Sequence, residues 1–310
     1  MTKTSLPSSS SRSCDSLVIR PDFGRPQFAA INRRLNNRFR TRGTLIAVHR
    51  GTGLGMIVEN TAAAVTAAAR CGGDLIEIDV IASRDGDFFA FHDGYEQRHF
   101  GIDRNIQTMS TAEIEQLAYP HRSAAPLVRV ERLETILRSA PDVSLNIDRS
   151  WRYWPRLLSH LDAFGMADRV LMKVDANDED ALRAARRHEV KYPLLPIAKT
   201  VDAAERMLGE ASLNVVGIEV VTADPRHPFC SPEWSEQLHA RATFSYMNAL
   251  DLGNGADLMA GWDDTVAVLH GPEHGWGPLV DIGADVIQTD WPALLQEYLI
   301  ERGARAKAPA

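Results

Sequence analysis

The chain has 310 residues, of which 45% are apolar and 24% charged, and its formal net charge is −7 at pH 7. These values are ordinary for a soluble globular protein. No apolar run approaches the roughly 20 residues that cross a bilayer, and the amino terminus lacks the apolar segment of a secretory signal. We therefore expect a cytoplasmic protein without stable membrane insertion. Cys14, Cys71 and Cys230 have no metal-binding spacing, which predicts free thiols.

Residues 1–43 form a basic segment with nine Lys or Arg side chains against two Asp. A segment of this charge can contact nucleic acid or anionic lipid. It contains no nucleic-acid-binding motif and the rest of the chain is acidic, so we favour a solvated, partly flexible extension without a nucleic-acid partner. The main domain is then expected over 44–304, followed by a tail over 305–310.

From Leu45 onward, short β-branched or apolar runs alternate with helical patterns, which is typical of βα units and a parallel sheet. The length fits one α/β barrel with a single core. We expect helices to begin at Asn60, Asp178 and Pro292, and a local turn over 275–278. The pattern predicts a (β/α)₈ TIM barrel. Its strands are expected near 45–49, 75–80, 143–147, 169–174, 192–198, 215–221, 242–247 and 286–289.

The connection between the second and third predicted strands is longer than the others. Residues 81–140 contain a hairpin-like pattern with Asp85-Gly86 as its turn, and then two predicted helices. Insertions at the catalytic rim of a barrel commonly set substrate selectivity. We therefore predict a small insertion between strand 2 and strand 3.

Several polar side chains are predicted at the carboxyl ends of the strands, where barrel enzymes carry their active sites. His49 ends the first strand, Asp148 the third and Lys173 the fourth. Glu77 and Asp79 lie in the last half of the second strand. Because alternate side chains of a strand share a face, these two carboxylates can bind one divalent cation.

A histidine is expected on either side of this cation, namely His49 and His92. Such a set suits displacement at phosphorus. One imidazole attacks or deprotonates, the other protonates the leaving oxygen, and the cation with an arginine neutralises the equatorial oxygens. The remaining histidines, His99 among them, lack such surroundings and are expected to be surface or packing residues.

The motifs resemble those of the glycerophosphodiester phosphodiesterase (GDPD) family in order and spacing. The resemblance covers roughly residues 44–300, and residues 283–292 resemble the family's closing strand and final helix start. It implies a phosphoric diester hydrolase. The motifs near the start are His49-Arg50-Gly51, Glu59-Asn60-Thr61, Glu77-Ile78-Asp79, Asp85-Gly86 and His92-Asp93.

The resemblance also implies roles for single residues. His49 and His92 match the family's catalytic pair, Arg50 its phosphate-binding arginine, and Glu77 and Asp79 two of its metal ligands. We expect one divalent cation, Mg²⁺ or Ca²⁺.

The pattern around the third ligand departs from that of the family. Its usual form, Leu-Asn-Ile-Glu-x-Lys, is replaced by Leu-Asn-Ile-Asp-Arg-Ser over 145–150. Asp148 can still bind the cation, with an arm shorter by one methylene. Ser150 stands where the family has a phosphate-supporting lysine, and we hypothesise that Lys173 supplies this charge from the neighbouring strand.

The family's aromatic pair, which packs on glycerol, aligns approximately with Val174 and Ser245. This predicts a wider or more polar alcohol pocket, lined in part by Ser245, and makes an agrocinopine-type sugar phosphodiester a candidate substrate. Trp151 follows Asp148 directly and either packs in the core or lines the substrate site. Glu219, a charge at an interior strand position, is expected to contact the ligand or an inner partner.

The sequence thus predicts a metal-dependent hydrolase whose partner is a small-molecule phosphodiester. It releases an alcohol and a phosphomonoester from a glycerophosphodiester or a sugar phosphodiester. Two alternatives stay open: a phospholipid or sphingolipid headgroup lyase that forms a cyclic phosphate, and a non-catalytic sugar-phosphate-binding barrel. The sequence does not determine the oligomeric state.

Overall fold

The computed structural model describes residues 21–51, 55–120 and 127–307. None of the helices in these ranges is long and apolar enough to cross a membrane. The strands are β1 (Leu45–Val48), β2 (Leu75–Ala82), β3 (Phe88–Ala90), β4 (Glu131–Arg132), β5 (Ser144–Asp148), β6 (Val170–Asp175), β7 (Leu194–Ala198), β8 (Gly217–Val220), β9 (Phe244–Asn248) and β10 (Val286–Thr289). The helices are α1 (Ala29–Arg42), α2 (Ala62–Arg70), α3 (Glu96–Phe100), α4 (Thr111–Ile114), α5 (Leu133–Ser139), α6 (Arg156–Ala163), α7 (Glu179–Arg187), α8 (Val201–Gly209), α9 (Pro232–His239), α10 (Asp264–His270), α11 (Pro272–Asp281) and α12 (Pro292–Glu301).

Within the described residues, eight parallel strands close into a barrel in the order β1-β10-β9-β8-β7-β6-β5-β2, and β2 pairs with β1. The closing register sets Leu45 opposite Val286 and Ala47 opposite Leu75. Because both faces of each strand are buried, the strands are rich in Val, Ile and Leu. The predicted (β/α)₈ barrel is confirmed, and each predicted strand overlaps an observed one.

Side chains along the strands alternate between the barrel interior and the surrounding helices. Ile76 belongs to the core between the barrel and the helices, whereas Leu75 and Leu171 belong to a second apolar cluster inside the barrel. Glu77 and Lys173 lie two residues further along the same strands and therefore share that interior face. An apolar lower layer thus supports a polar upper layer at the carboxyl ends.

Helix α1 closes the amino-terminal end of the barrel. Phe23 and Phe39 are buried in one cluster with Phe244, and the rings of Phe23 and Phe39 meet edge to face at 4.7 Å. The part of the predicted extension that begins at residue 21 therefore packs against the barrel. The predicted flexibility of residues 1–20 lies outside the described residues.

The predicted tail begins inside the fold. Arg305 is buried, and its guanidinium Nη1 lies 2.6 Å from Oδ2 of buried Asp74. The same Asp74 oxygen accepts the backbone N–H of Ile46 in β1 at 2.9 Å. Arg305 therefore joins the chain end to the first two barrel strands.

The predicted insertion lies between β2 and β5, the second and third barrel strands. β3 runs antiparallel to the end of β2, with Val80 opposite Ala90, and β4 continues this small sheet. The insertion has its own apolar cluster, which holds α3 beside the mouth of the barrel. That cluster contains Ile81, Phe89, Phe91, Ile106, Met109, Ile114, Tyr119 and Val130.

Two local predictions are wrong. Thr61, not Asn60, caps α2, because its side chain accepts the Ala64 N–H while Asn60 takes a left-handed conformation with φ 56°. Residues 275–278 form part of α11 and not a turn. A Cβ on Gly275 would lie 2.4 Å from the backbone of Asp263, so this glycine permits close helix packing.

Candidate active site

His49 follows β1 and contacts Asp290, which follows β10. β1 and β10 pair with Val48 opposite Thr289, so the residues after the two strands come together. His49 Nδ1 lies 3.0 Å from Asp290 Oδ1. Because an ionised carboxylate only accepts, Nδ1 carries the hydrogen of this bond. The contact fixes the orientation of the imidazole.

Asp290 is itself held by the buried carboxylate of Asp264. Asp264 accepts the Asp290 backbone N–H, the Thr289 hydroxyl and the Trp276 indole N–H, each at 2.7 Å. Burial raises the pKa of Asp264 to about 7 despite these three bonds. Sequence reasoning missed both aspartates. For Asp290 the available signal was the resemblance of residues 283–292 to the family's closing strand and final helix start, where no role was assigned; Asp264 lies outside this range.

Arg50 is placed by a tight turn after β1, with φ values of 52° at Arg50 and 72° at Gly51. A Cβ on Gly51 would lie 2.9 Å from the backbone of α2, so a glycine is needed there. The Arg50 guanidinium lies 3.0 Å from Glu59 and 3.1 Å from Asp79. Burial opposes the charge, but Asp79, Glu59 and Glu77 outweigh it and raise the pKa of Arg50 above its usual value.

Glu77, Asp79 and Asp148 come together at the carboxyl ends of β2 and β5. The two strands pair with Asp79 opposite Asp148, and Glu77 lies on the same face two residues earlier. Burial and the charges of Asp79 and Asp148 raise the pKa of Glu77 well above its usual value, against the opposing effect of Lys173 and Arg50. The three carboxylates are therefore close enough to repel one another.

Protein donors contact all three carboxylates, and Asp148 uses both of its oxygens, because its Oδ2 also lies 3.2 Å from the Lys173 ammonium. Glu77 Oε2 accepts the Arg50 N–H at 2.8 Å, Asp79 Oδ2 accepts from Asn60 at 3.0 Å, and Asp148 Oδ1 accepts a backbone N–H at 2.6 Å. In the part of the chain that the structure describes, no group of three or more Asp, Glu, His or Cys side chains is arranged so that it could hold a metal ion. The donor set fits Mg²⁺ or Ca²⁺, because hard carboxylate oxygens suit both ions and a cation would relieve the repulsion on Glu77.

Lys173 lies inside the barrel and is only 1% exposed. Three acceptors surround its ammonium nitrogen: Gln288 Oε1 at 2.9 Å, Glu219 Oε2 at 3.0 Å and Asp148 Oδ2 at 3.2 Å. Burial disfavours the charge, but Glu219 and Asp148 outweigh it and raise the pKa of Lys173. A phosphate would compete with these three partners, so the geometry favours Lys173 as a support for Asp148.

His92 follows β3 at the mouth of the barrel. Its Nδ1 lies 2.8 Å from the Asp93 carbonyl oxygen, and since a carbonyl only accepts, Nδ1–H donates and Nε2 is the acceptor of a neutral ring. Burial, together with repulsion from Arg50 and Arg149, lowers the pKa of His92 despite the attraction of Asp79. A neutral ring with Nε2 as its acceptor nitrogen suits a proton acceptor.

These residues line one cavity of about 610 Å³ at the carboxyl ends of the strands. Trp151 and Glu219 also line it. Its polar lining includes His49, Arg50, Glu77, Asp79, His92, Asp148, Lys173 and Glu219. Six large apolar side chains also line the cavity, and we call them the apolar wall: Trp151, Ile197, Val221, Leu250, Leu252 and Leu258.

Ser245 does not line this cavity, and that expectation is wrong. Its buried hydroxyl donates to the Gly283 carbonyl at 3.0 Å, near the start of β10 and at the other end of the barrel. Val174 is likewise buried in the core between barrel and helices. Ser245 and Val174 are next to Tyr246 and Lys173, whose side chains point into the barrel. Because successive side chains of a strand point to opposite faces, those of Ser245 and Val174 point outward. The wider alcohol pocket inferred from these positions loses its basis.

Two residues of the insertion also reach the site. The ring of Tyr95 lies 4.7 Å from the guanidinium carbon of Arg50. His99, expected at the surface or in packing, has Nε2 3.4 Å from Glu59 Oε1. Sequence reasoning missed these contacts, because this region has no regular period that would show which way a side chain points.

Comparison of the sequence with family profiles assigns the chain to a class. The profile of the Glycerophosphoryl diester phosphodiesterase family matches residues 49–228, which is more than half of the chain. A second profile, for a domain of unknown function, matches residues 194–299. The chain therefore belongs to the glycerophosphoryl diester phosphodiesterase family, and the family predicted from the motifs is confirmed.

Solved structures share the fold. A glycerophosphoryl diester phosphodiesterase from Parabacteroides distasonis is 17% identical with a TM-score of 0.63, covering 84% of this chain and 87% of that one. A phosphodiesterase from Oleispira antarctica, solved with the product sn-glycerol-3-phosphate, is 17% identical with a TM-score of 0.58, covering 83% and 97%.

Curated relatives match a shorter stretch. Lysophospholipase D GDPD1 from Rattus norvegicus and from Mus musculus are each 28% identical over 128 residues. This stretch is 39% of this chain and 40% of each relative. The chain thus spans about two fifths of the length of the curated relatives that it matches.

Proposed function

We propose that this protein hydrolyses glycerophosphodiesters to an alcohol and a phosphomonoester with the help of one divalent cation. The observation that carries the proposal is that His49, His92, Arg50 and the three carboxylates line a single cavity. Membership of the family supports the same reaction class.

Glu77, Asp79 and Asp148 would hold Mg²⁺ or Ca²⁺. When bound, such a cation polarises the phosphoryl oxygens and offsets the charge that develops on them. Arg50 adds a permanent positive charge in a planar guanidinium, which matches the geometry of phosphate oxygens. Lys173 keeps Asp148 in place from inside the barrel.

The two histidines divide the proton transfers. His92 is neutral with Nε2 as acceptor, so it takes the proton of the attacking water. His49 is oriented by Asp290, and a carboxylate partner stabilises an imidazole that carries a proton during the reaction. His49 therefore protonates the leaving oxygen.

A lysophospholipid is a second candidate substrate. Apart from Trp151, the apolar wall is formed by side chains at the end of β7, after β8 and after β9, and these offer apolar contacts to an acyl chain. Lys199, Thr222 and Asp257 line the cavity between them. The curated relatives are named lysophospholipase D, which favours the same class. The sugar phosphodiester has no comparable support, because it depended on Val174 and Ser245.

The test is a substrate screen with the purified, cation-loaded protein, followed by ³¹P NMR. Glycerophosphocholine, lysophosphatidylcholine and a sugar phosphodiester are compared, and we expect a phosphomonoester from the first or the second. His49→Ala and His92→Ala should each lower kcat by about 100-fold or more. The exposed His274 provides the matched control, His274→Ala.

Each alternative has its own outcome in this screen. A cyclic phosphate as the final product would indicate the headgroup lyase. Binding without turnover, with affinity unchanged by His49→Ala, would indicate the sugar-phosphate-binding barrel. The cytoplasmic location and the lack of a nucleic-acid partner stay predictions from the sequence.

A further inference from the structure

Tyr95 contacts two groups that the proposed reaction needs at the same phosphate. Its ring centroid lies 4.7 Å from the guanidinium carbon of Arg50. The same ring lies 4.4 Å from the imidazole of His92, centroid to centroid, with 33° between the planes. One aromatic side chain of the insertion therefore touches both the phosphate-binding arginine and a histidine of the catalytic pair.

A second contact from the insertion reaches Arg50 through Glu59. Glu59 Oε1 lies 3.0 Å from Arg50 Nη1 and 3.4 Å from His99 Nε2. Burial opposes ionisation, but His99 and Arg50 outweigh it and lower the pKa of Glu59 to about 2. The carboxylate thus stays charged between two donors.

His99 lies on the short helix α3, Tyr95 directly precedes it, and the helix is fixed to the insertion core. The Glu96 side chain is buried and accepts the Ile106 N–H at 2.8 Å. The His99 ring packs edge to face on Tyr119 at 5.3 Å, and Phe100 stacks on Phe91 at 5.6 Å. A side chain on α3 therefore has a firm base from which to orient the residues it touches.

We propose that Tyr95 and His99 are positioning residues for the phosphate site. Contact with the Tyr95 side chain restrains the Arg50 guanidinium, and Glu59, held by His99, fixes one of its edges. Tyr95 also limits the tilt of the His92 ring. The insertion is then part of the phosphate site and not only a cover over the barrel. This inference rests on the proposed function.

The first test measures phosphate binding without turnover. Inorganic phosphate is titrated calorimetrically into the cation-loaded protein and its variants. We expect Tyr95→Leu to weaken phosphate binding at least about fivefold and His99→Leu about threefold. Tyr95→Phe keeps the ring and should bind phosphate at least about threefold more tightly than Tyr95→Leu. Gln97→Ala, an exposed change on the same helix, is the control.

The second test separates positioning from a merely structural role. With glycerophosphocholine, Tyr95→Leu should raise KM and lower kcat together, because Arg50 and His92 are both released. A structural role would reduce the amount of folded protein and leave KM unchanged. Folded Tyr95→Leu and His99→Leu proteins with wild-type phosphate affinity and KM would overturn the inference.

The two proposals fail in different ways. A wild-type protein that binds phosphate but cleaves no diester contradicts the hydrolase, while the calorimetric comparison still decides the positioning roles. If Tyr95→Leu does not fold, His99→Leu decides alone, and unchanged phosphate affinity in that variant overturns the inference.

Discussion

Asp290 is the residue whose replacement most directly tests how His49 is oriented. The carboxylate accepts from His49 Nδ1, and an amide in its place can turn its NH₂ group toward the ring and favour the wrong tautomer. We expect Asp290→Asn to lower kcat by about tenfold or more with little change in KM. Steady-state kinetics check this, with the exposed Asp180→Asn as control. Unchanged kcat in a folded Asp290→Asn protein would contradict the assigned contact.

Lys173 tests the polar upper layer of the barrel. Lys173→Met leaves the buried Glu219 and the partly buried Asp148 without the lysine ammonium, which costs about 3–5 kcal/mol of unfolding free energy. Turnover should fall at least about tenfold, because Asp148 loses the contact that orients it. Urea denaturation and kinetics measure both effects, and Lys307→Met at an exposed position is the control. A Lys173→Met protein with wild-type stability and turnover would contradict the role of Lys173 in holding Asp148.

The depressed pKa of His92 predicts the acid side of the pH profile. A proton acceptor must be neutral, so kcat/KM should stay high to a lower pH than the ordinary histidine value of about 6.5 allows. Arg149 repels the protonated ring, and Arg149→Gln should therefore raise the pKa of His92 and move the acid limb up by roughly half a pH unit. Arg183→Gln, exposed on α7, should leave the limb in place. A downward move in Arg149→Gln would contradict this account.

The positions of single residues were only partly predictable from the sequence. His49, Glu77 and Asp148 were expected at the mouth of the barrel and line the cavity there, because strand ends and a period of two fix where their side chains point. The prediction for Ser245 was wrong by one position, and a shift of one residue along a strand moves a side chain to the opposite face of the sheet. Tyr95 lies in an irregular insertion, where no period predicts direction.

Among the elements, α1 shows most clearly that the chain before the first strand belongs to the barrel. Phe39 is 2% exposed and packs against Phe23 and Phe244. We expect Phe39→Ala to reduce the unfolding free energy by about 3–5 kcal/mol, with activity per folded molecule retained. Thermal and urea denaturation measure this, and the exposed Arg33→Ala is the control. Equal stability of Phe39→Ala and wild type would mean that α1 does not close the barrel in solution.

Elements with a clear pattern of apolar residues were predictable from the sequence, and elements defined by long-range packing were not. The barrel strands stood out as continuous apolar runs because both their faces are buried. Helix α1 was not predicted, because its many basic residues drew attention away from the apolar face on which Leu35 and Phe39 lie one turn apart. Residues 275–278 looked like a turn because glycine and proline usually end helices, but here Gly275 serves close contact with Asp263.

On the scale of the whole molecule, the interior of the barrel is apolar at the amino-terminal ends of the strands and polar at the carboxyl ends, where the cavity lies. Apolar side chains fill the lower interior together with Phe23 and Phe39. The upper interior carries the carboxylates, Lys173 and Glu219 at the cavity. Closing the barrel brings β1 between β2 and β10, so His49 lies between the acidic cluster and Asp290. The fold thus brings together residues that are more than 200 positions apart in the sequence.

The most direct test of a metal-dependent phosphodiesterase is hydrolysis of a glycerophosphodiester before and after removal of the cation. We expect EDTA treatment to abolish turnover, Mg²⁺ or Ca²⁺ to restore it in the wild type, and neither ion to restore it in Asp79→Asn. Full activity after exhaustive removal of divalent cations, or full recovery in Asp79→Asn, would contradict the assignment of Glu77, Asp79 and Asp148 as ligands.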